Sequence, residues 1–218
     1  MKTLSRRSFL ASTALASGAA SFALPSLAGA APASAKKRIK LGISSYSYWH
    51  GEEKKLPIET VIERAAEIGV ECVDVLHRQI NVNELAVLDA AGRAYCRKLK
   101  RHAFRNGIEL ACLSTHQSFV SPNPKARQEQ LDHTLRCLDV ADALGAPCIR
   151  VNAGRWNTVP DFDEFMKKRG LEPPLAGHTE DEAFEWTIDG LGKCLKRAEE
   201  LGIILAVENH WGDRKSVV

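Results

Sequence analysis

The sequence predicts a parallel α/β fold of the (β/α)8 TIM-barrel type, incomplete, with about five βα strands present. Three observations predict it. Four segments repeat one grammar: an amphipathic helix, a glycine, then a short apolar strand. The first three of these glycines, Gly69, Gly107 and Gly145, are evenly spaced, as successive βα units are. Polar residues collect just after the strands, where α/β sheets bind their ligands.

The series opens with a strand at Ile39–Ile43. The turn after it, Ser44-Ser45-Tyr46-Ser47-Tyr48-Trp49-His50, is aromatic and polar and has no glycines to cradle a phosphate, which favours a barrel over a doubly wound nucleotide-binding sheet. Pro57 sits at a first helical turn, and Ile58, Val61, Ile62 and Ala65 form one apolar face. Gly69 then precedes strand two, Glu71–Leu76, and Gly107 precedes strand three, Ile108–Leu113. Leu131, Leu135, Leu138 and Asp142 step at helical spacing before Gly145 and strand four, Cys148–Val151. A Pro-, Gly- and charge-rich insertion, residues 155–178, lengthens the last repeat. A helix over Lys193–Leu201, closed by Gly202, leads into strand five, Ile203–Val207. Its five consecutive apolar residues fit a strand covered on both faces.

Before the repeats stands a different kind of segment. Arg6 and Arg7, followed by Phe9, Leu10 and a mild apolar run, look like a twin-arginine export signal, with small-residue cleavage sites at Ala28-Gly29-Ala30 or Ala33-Ser34-Ala35. Residues 1–35 are therefore expected to be a signal peptide and linker, and the mature protein to be periplasmic or extracytoplasmic. An uncleaved anchor is the alternative; the run is short and rich in Ala, Ser and Gly, so no stable membrane span is expected after cleavage. The net charge of +3 comes from Lys2, Arg6 and Arg7, with no acid before Ala30. The remainder is near neutral and lacks a basic footprint for nucleic acid. The six cysteines are scattered with no C-x-x-C pair, so neither a disulfide framework nor a zinc knuckle is expected.

Each strand ends in a group able to bind a hydroxylated ligand or a metal: Tyr46, then Asp74 and His77, His116, Asn152 with Arg155, and Glu208 with His210. Each has a plainer reading. Glu208 pairs with a neighbouring Arg or faces water; a lone His is a hydrogen-bonded structural residue; Asp74 caps a helix; Tyr46 packs at a rim; Arg155 serves only the insertion. Convergence of five strand ends on one mouth is what favours a site.

The segments Leu41–Ser47, Gly69–Asp74, Leu113-Ser114-Thr115-His116 and Val207-Glu208-Asn209-His210 resemble, in order and spacing, the xylose-isomerase-like TIM-barrel superfamily, the sugar phosphate isomerase/epimerase group. The resemblance covers residues 40–212, within a barrel domain expected over 36–212. It implies that Glu208 binds a divalent metal (Mn, Mg, Co or Zn) and acts as an acid/base, and that His116 contacts the substrate. Asp74 stands where the family has Glu, a longer side chain. The implied chemistry is carboxylate proton transfer through an enediolate, with a small sugar or sugar derivative as partner, no nucleic acid, and an oligomer allowed. The alternatives are a non-catalytic periplasmic carbohydrate-binding barrel, in which Tyr46, Tyr48, Trp49, Trp156 and Trp211 stack on sugar rings, and an abasic-site-endonuclease-like phosphodiesterase. Export and a near-neutral mature charge count against DNA.

A complete barrel takes about 250 residues, and the chain has 218. Residues 213–218 can be encoded by a common sequencing-adapter read-through, so they are expected to be an artefact tail on the N-terminal part of a barrel. Such a fragment has open apolar edges and one metal ligand where catalysis needs three, so it is expected to be inactive and poorly soluble.

Overall fold

The computed structural model describes residues 38–49, 55–83 and 85–208. Arg6, Arg7, His210, Trp211 and the expected tail at 213–218 lie outside the described residues. Among the described residues five strands form one sheet in sequence order: β1 (Gly42–Ser44), β2 (Cys72–Leu76), β3 (Glu109–Ser114), β4 (Cys148–Asn152) and β5 (Ile204–Glu208). Every neighbouring pair is parallel. A doubly wound sheet reverses its strand order at a switch point. This order runs on without reversal, as in a barrel.

Among the described residues five α-helices connect or flank the strands: α1 (Ile58–Glu67), α2 (Ala90–Arg105), α3 (Pro124–Leu144), the short α4 (Phe162–Lys167) and α5 (Glu180–Leu201). The starts of α2, α3, α4 and α5 carry side-chain caps, while α1 starts after Pro57 without one. Asp89 accepts from the Gly92 N–H at 2.7 Å, Asn123 accepts from the Lys125 N–H at 2.9 Å, and Thr179 with Glu182 closes a capping box on α5. Gly145 and Gly202 end α3 and α5 with φ of 71° and 67°, the left-handed conformation that returns the chain to a strand. The repeat glycines read from the sequence do this work.

Alternate strand residues face opposite sides. Val73 and Val75 on β2 and Ile149 and Val151 on β4 face the helices, and a register shift opposite Val73/Asp74 brings Leu110 and Leu113 of β3, three apart, into the same buried core with α1, α2 and α3. Burying each side chain of this size contributes roughly 1.5–3 kcal/mol before entropy is counted. The opposite face is free to be polar, and it is.

Three expectations change. Strand one starts at Gly42 rather than Ile39, and Leu41 is exposed. The last helix starts at Glu180, thirteen residues before Lys193, because the capping box, not the apolar spacing, sets its start. β5 is not covered on both faces: among the described strands it is an edge, with Ile204 65 % and Val207 52 % exposed. No described helix is long and apolar enough to cross a membrane.

Two glycines in α5 make opposite predictions. A Cβ added at Gly190 would meet the Phe119 ring at 2.5–2.8 Å, and Phe119 is fully buried and cannot yield. The overpacking cost of about 1–3 kcal/mol outweighs a helix-propensity gain of about 1 kcal/mol, so Gly190→Ala destabilises. Nothing lies within 4 Å of a Cβ at Gly192. Gly192→Ala therefore stabilises by up to about 1 kcal/mol. Denaturation midpoints of the two variants check both signs.

Candidate functional site

The inner face of the sheet is built by register. Ser44, Asp74 and Cys112 lie level on β1, β2 and β3; Ser114 pairs with Arg150, Arg150 with Ala206, and Asn152 with Glu208. Asp74 is held from both sides. Ser44 Oγ donates to one carboxylate oxygen at 2.9 Å and Ser114 Oγ to the other at 2.5 Å. Arg150 Nη1 donates to Asn152 Oδ1 at 2.9 Å and pairs with Glu208 Oε2 at 2.7 Å. Glu208 thus does pair with a neighbouring arginine, and that arginine itself faces the cleft. Glu208 remains half-exposed, so the pair is partly screened.

Past β3 the chain is fixed by a buried amide. Gln117 donates to the Asn152 carbonyl at 2.9 Å, while its Oε1 accepts from Thr115 Oγ1 at 2.8 Å and from the Asn152 N–H at 3.2 Å. This clamp sets His116 over the sheet's carboxyl end. The His116 ring centroid lies 6.4 Å from Tyr46, which meets Trp49 edge-on at 6.1 Å. Tyr46, Asp74, His116, Asn152 and Glu208 all line one open cleft of about 1320 Å³. Five of the residues expected from the sequence therefore come together.

His77 does not line that cleft. The chain turns into a 3-10 helix (His77–Gln79) straight after β2, and the ring is buried. Its Nδ1 donates to the Ser114 carbonyl at 3.0 Å, and the ring meets His133 of α3 edge-on at 5.2 Å. The plainer reading of a structural histidine describes this placement. Sequence reading missed Ser44, Ser114, Arg150 and Gln117. For the first three the signal was present: a polar residue two positions from another polar strand residue shares its face.

The inserted segment after β4 forms a braced rim. Arg155 is bonded by Glu172 at 3.3 and 3.1 Å and donates to the Val159 carbonyl at 3.0 Å. Its guanidinium lies 3.9 Å from the centre of the Phe165 ring. Glu172 is buried and also accepts from the Asn157 N–H at 2.9 Å. Trp156 stacks on His178 at 6.2 Å, and both meet Trp186 edge-on. Arg155 serves the rim rather than the floor.

The described cysteines are all free thiols. Burial, together with the nearby Asp74 charge and the Cys148 thiol, pushes Cys112 up; burial pushes Cys194 up to about 12. Both stay protonated at neutral pH. The folded state keeps the Cys194 proton to about pH 12 while the unfolded chain loses it near 9.0, so stability falls as pH rises through that window.

Among the described residues no three His, Cys, Asp or Glu side chains are grouped to hold a metal ion. Glu208 is engaged by Arg150, and both Asp74 oxygens accept from hydroxyls. The described donors alone therefore do not fit a resident metal.

Residues 62–218 match the family model of the xylose isomerase-like TIM barrel. The chain belongs to this family. Among solved structures of the fold, it is similar to D-psicose 3-epimerase from Clostridium cellulolyticum H10, solved with D-tagatose, at 19 % identity and TM-score 0.57, covering 77 % of this chain and 51 % of that one. A D-psicose 3-epimerase solved in the presence of D-fructose matches at 21 % identity and TM-score 0.58, covering 78 % and 52 %. A 3-keto-D-glucoside 4-epimerase from E. coli matches at 14 % identity and TM-score 0.54, covering 78 % and 56 %. The chain thus spans about half the length of these structures. No curated protein matches it.

Two outcomes are expected. Arg155→Met leaves the Glu172 carboxylate buried without its cation and costs about 3 kcal/mol, read as a lowered denaturation midpoint. Cys194, fully buried, resists iodoacetamide at pH 8 in the folded protein and reacts fully in denaturant; its rapid native labelling contradicts that burial.

Proposed function

We propose that the chain carries part of the site of a sugar or sugar phosphate isomerase/epimerase. The observation that carries this reading is the cleft at the strands' carboxyl ends of a xylose isomerase-like barrel, with Glu208 half-exposed at its floor. The epimerases of the same fold act on or were solved with small ketoses, which makes a ketose the proposed substrate class.

In this reading Glu208 accepts the proton from the carbon beside the substrate carbonyl, leaving an enediolate. Arg150, in the same cleft, offsets the negative charge that develops. Delivery of a proton to the opposite face by a second carboxylic acid on that face gives the epimer, with Glu208 keeping the proton it took; return of the proton by Glu208 to the neighbouring carbon gives the isomer. His116, Asn152, Asp74 and Tyr46 hold the hydroxyl groups, and His210 is proposed to join them. Glu208 is also the ligand proposed for a divalent ion (Mn, Mg, Co or Zn), which when bound polarises the carbonyl; its further donors are not among the described residues. We propose further that residues 1–35 direct export by the twin-arginine route and that residues 36–212 form the N-terminal part of the barrel. The 218-residue chain alone is then inactive.

A second reading, a carbohydrate-binding barrel without catalysis, is favoured by the aromatic groups around the mouth, Tyr46, Trp49 and Trp156.

Deuterium wash-in from D2O into D-fructose, D-tagatose and D-psicose, with Mn2+ added, separates these readings. The 218-residue chain is expected to show none. A protein in which the reading frame continues to a full barrel is expected to exchange, and Glu208→Gln to slow that exchange about 1000-fold. Exchange by the 218-residue chain overturns the fragment reading. Binding of sugar without exchange by the full barrel overturns the catalytic one.

A further inference from the structure

Beneath the cleft floor two cysteines face each other. Ser114 of β3 pairs with Arg150 of β4 in a parallel register. Side chains on one face of a strand recur at every second residue. Stepping back by two on both strands reaches Cys112 and Cys148, level with each other and on the same inner face. Neighbouring strands run about 4.8 Å apart, and a disulfide joins residues whose Cα atoms are about 4.4–6.8 Å apart. The thiols themselves meet, since Cys148 lies close enough to hydrogen-bond the Cys112 sulfur.

A cysteine in a strand is ordinarily an apolar filler. Fillers belong on the helix-facing side, where Leu113 and Ile149, the next residues along, join the core. Cys112 and Cys148 stand on the other side, among the polar groups, and neither is fully buried. Cys112 lines the open cleft, so a dissolved reagent reaches it without unfolding the chain. The remaining cysteines are placed elsewhere: Cys96, Cys137 and Cys194 are buried on α2, α3 and α5, and Cys72 pairs with Glu109 at the far end of β3.

We propose that Cys112 and Cys148 form a redox site: in the folded protein they close to an intramolecular disulfide that ties β3 to β4 under the cleft, and reduction reopens it. The oxidant is itself a disulfide, of a small molecule or of a thiol–disulfide exchange protein. One cysteine thiolate attacks a sulfur of that disulfide and releases a first thiolate. The second cysteine attacks the resulting mixed disulfide at the first cysteine's sulfur and releases another. Two electrons pass to the oxidant, which leaves as two thiols carrying the two protons the cysteines gave up. The site does not depend on the isomerase/epimerase reading, and the export proposed above would bring it into a compartment that holds disulfide oxidants.

The test is peptide mapping of the folded 218-residue chain after incubation with oxidised glutathione at pH 8 and trapping with N-ethylmaleimide. The expected product is a Cys112–Cys148 cross-link within one chain, reversed by dithiothreitol. The closed loop contains α3, so the oxidised chain is expected to melt roughly 5–10 °C higher. Cys112→Ser and Cys148→Ser should each abolish the link and the shift, and Cys72→Ser should leave both. Mapping is read on the unmodified chain, so it stands even if a variant folds poorly. Thiols that stay free, glutathione held on either cysteine without closure, a bond to any other cysteine or to a second chain, or a link that forms only in denaturant overturns the site. A link without a rise in melting temperature overturns the tie between the strands.

Discussion

Everything at this site depends on the parallel register of five strands. Once β2 places Val73 and Val75 against the helices, Asp74 must face the other way. The same alternation turns Arg150 and Asn152 inward on β4, and Glu208 follows because Asn152 pairs with it across the ladder. A slip of one residue in any strand would bury these charges under the helices, where an unpaired ion costs several kcal/mol. The apolar core and the polar floor are therefore one constraint seen from two sides.

The floor is also internally paired. Serine hydroxyls from β1 and β3 occupy Asp74, and Arg150 occupies Glu208. Such pairing orients carboxylates without metal and keeps two acids from repelling each other near one cleft. It also sets a competition, because a cation that binds Glu208 must displace Arg150 from that carboxylate or share it.

Much of the fold was legible in the sequence because the repeat is punctuated by glycines. Gly69, Gly107, Gly145 and Gly202 each take positive φ between a helix and a strand, a backbone demand that few other residues meet. Strand ends were legible only to within a few residues, since Leu41 is as apolar as a core residue yet exposed. The coverage of β5 was not legible: Ile203–Val207 is apolar throughout, but what covers a strand depends on its neighbours in the sheet. At the site, residues just beyond strand ends were found by position, and Tyr46, Asp74, His116, Asn152 and Glu208 do share a cleft. His77 shows the limit of that rule, because the 3-10 turn after β2 leaves its ring buried between His116 and His133, out of the cleft lining. Arg150 was overlooked inside an apolar strand, although its partner Glu208 sat in plain view.

The register claim is tested most directly by a double-mutant cycle on the pair that joins β4 to β5. Arg150→Met, Glu208→Gln and the double variant are compared with the unmodified chain by denaturant unfolding. If the two side chains meet on the cleft floor as described, at 2.7 Å and partly screened, the cycle returns a coupling of about 1 kcal/mol that weakens with added salt. A coupling of zero at low salt would mean that Arg150 and Glu208 do not share a face, and the floor built on that register would be wrong.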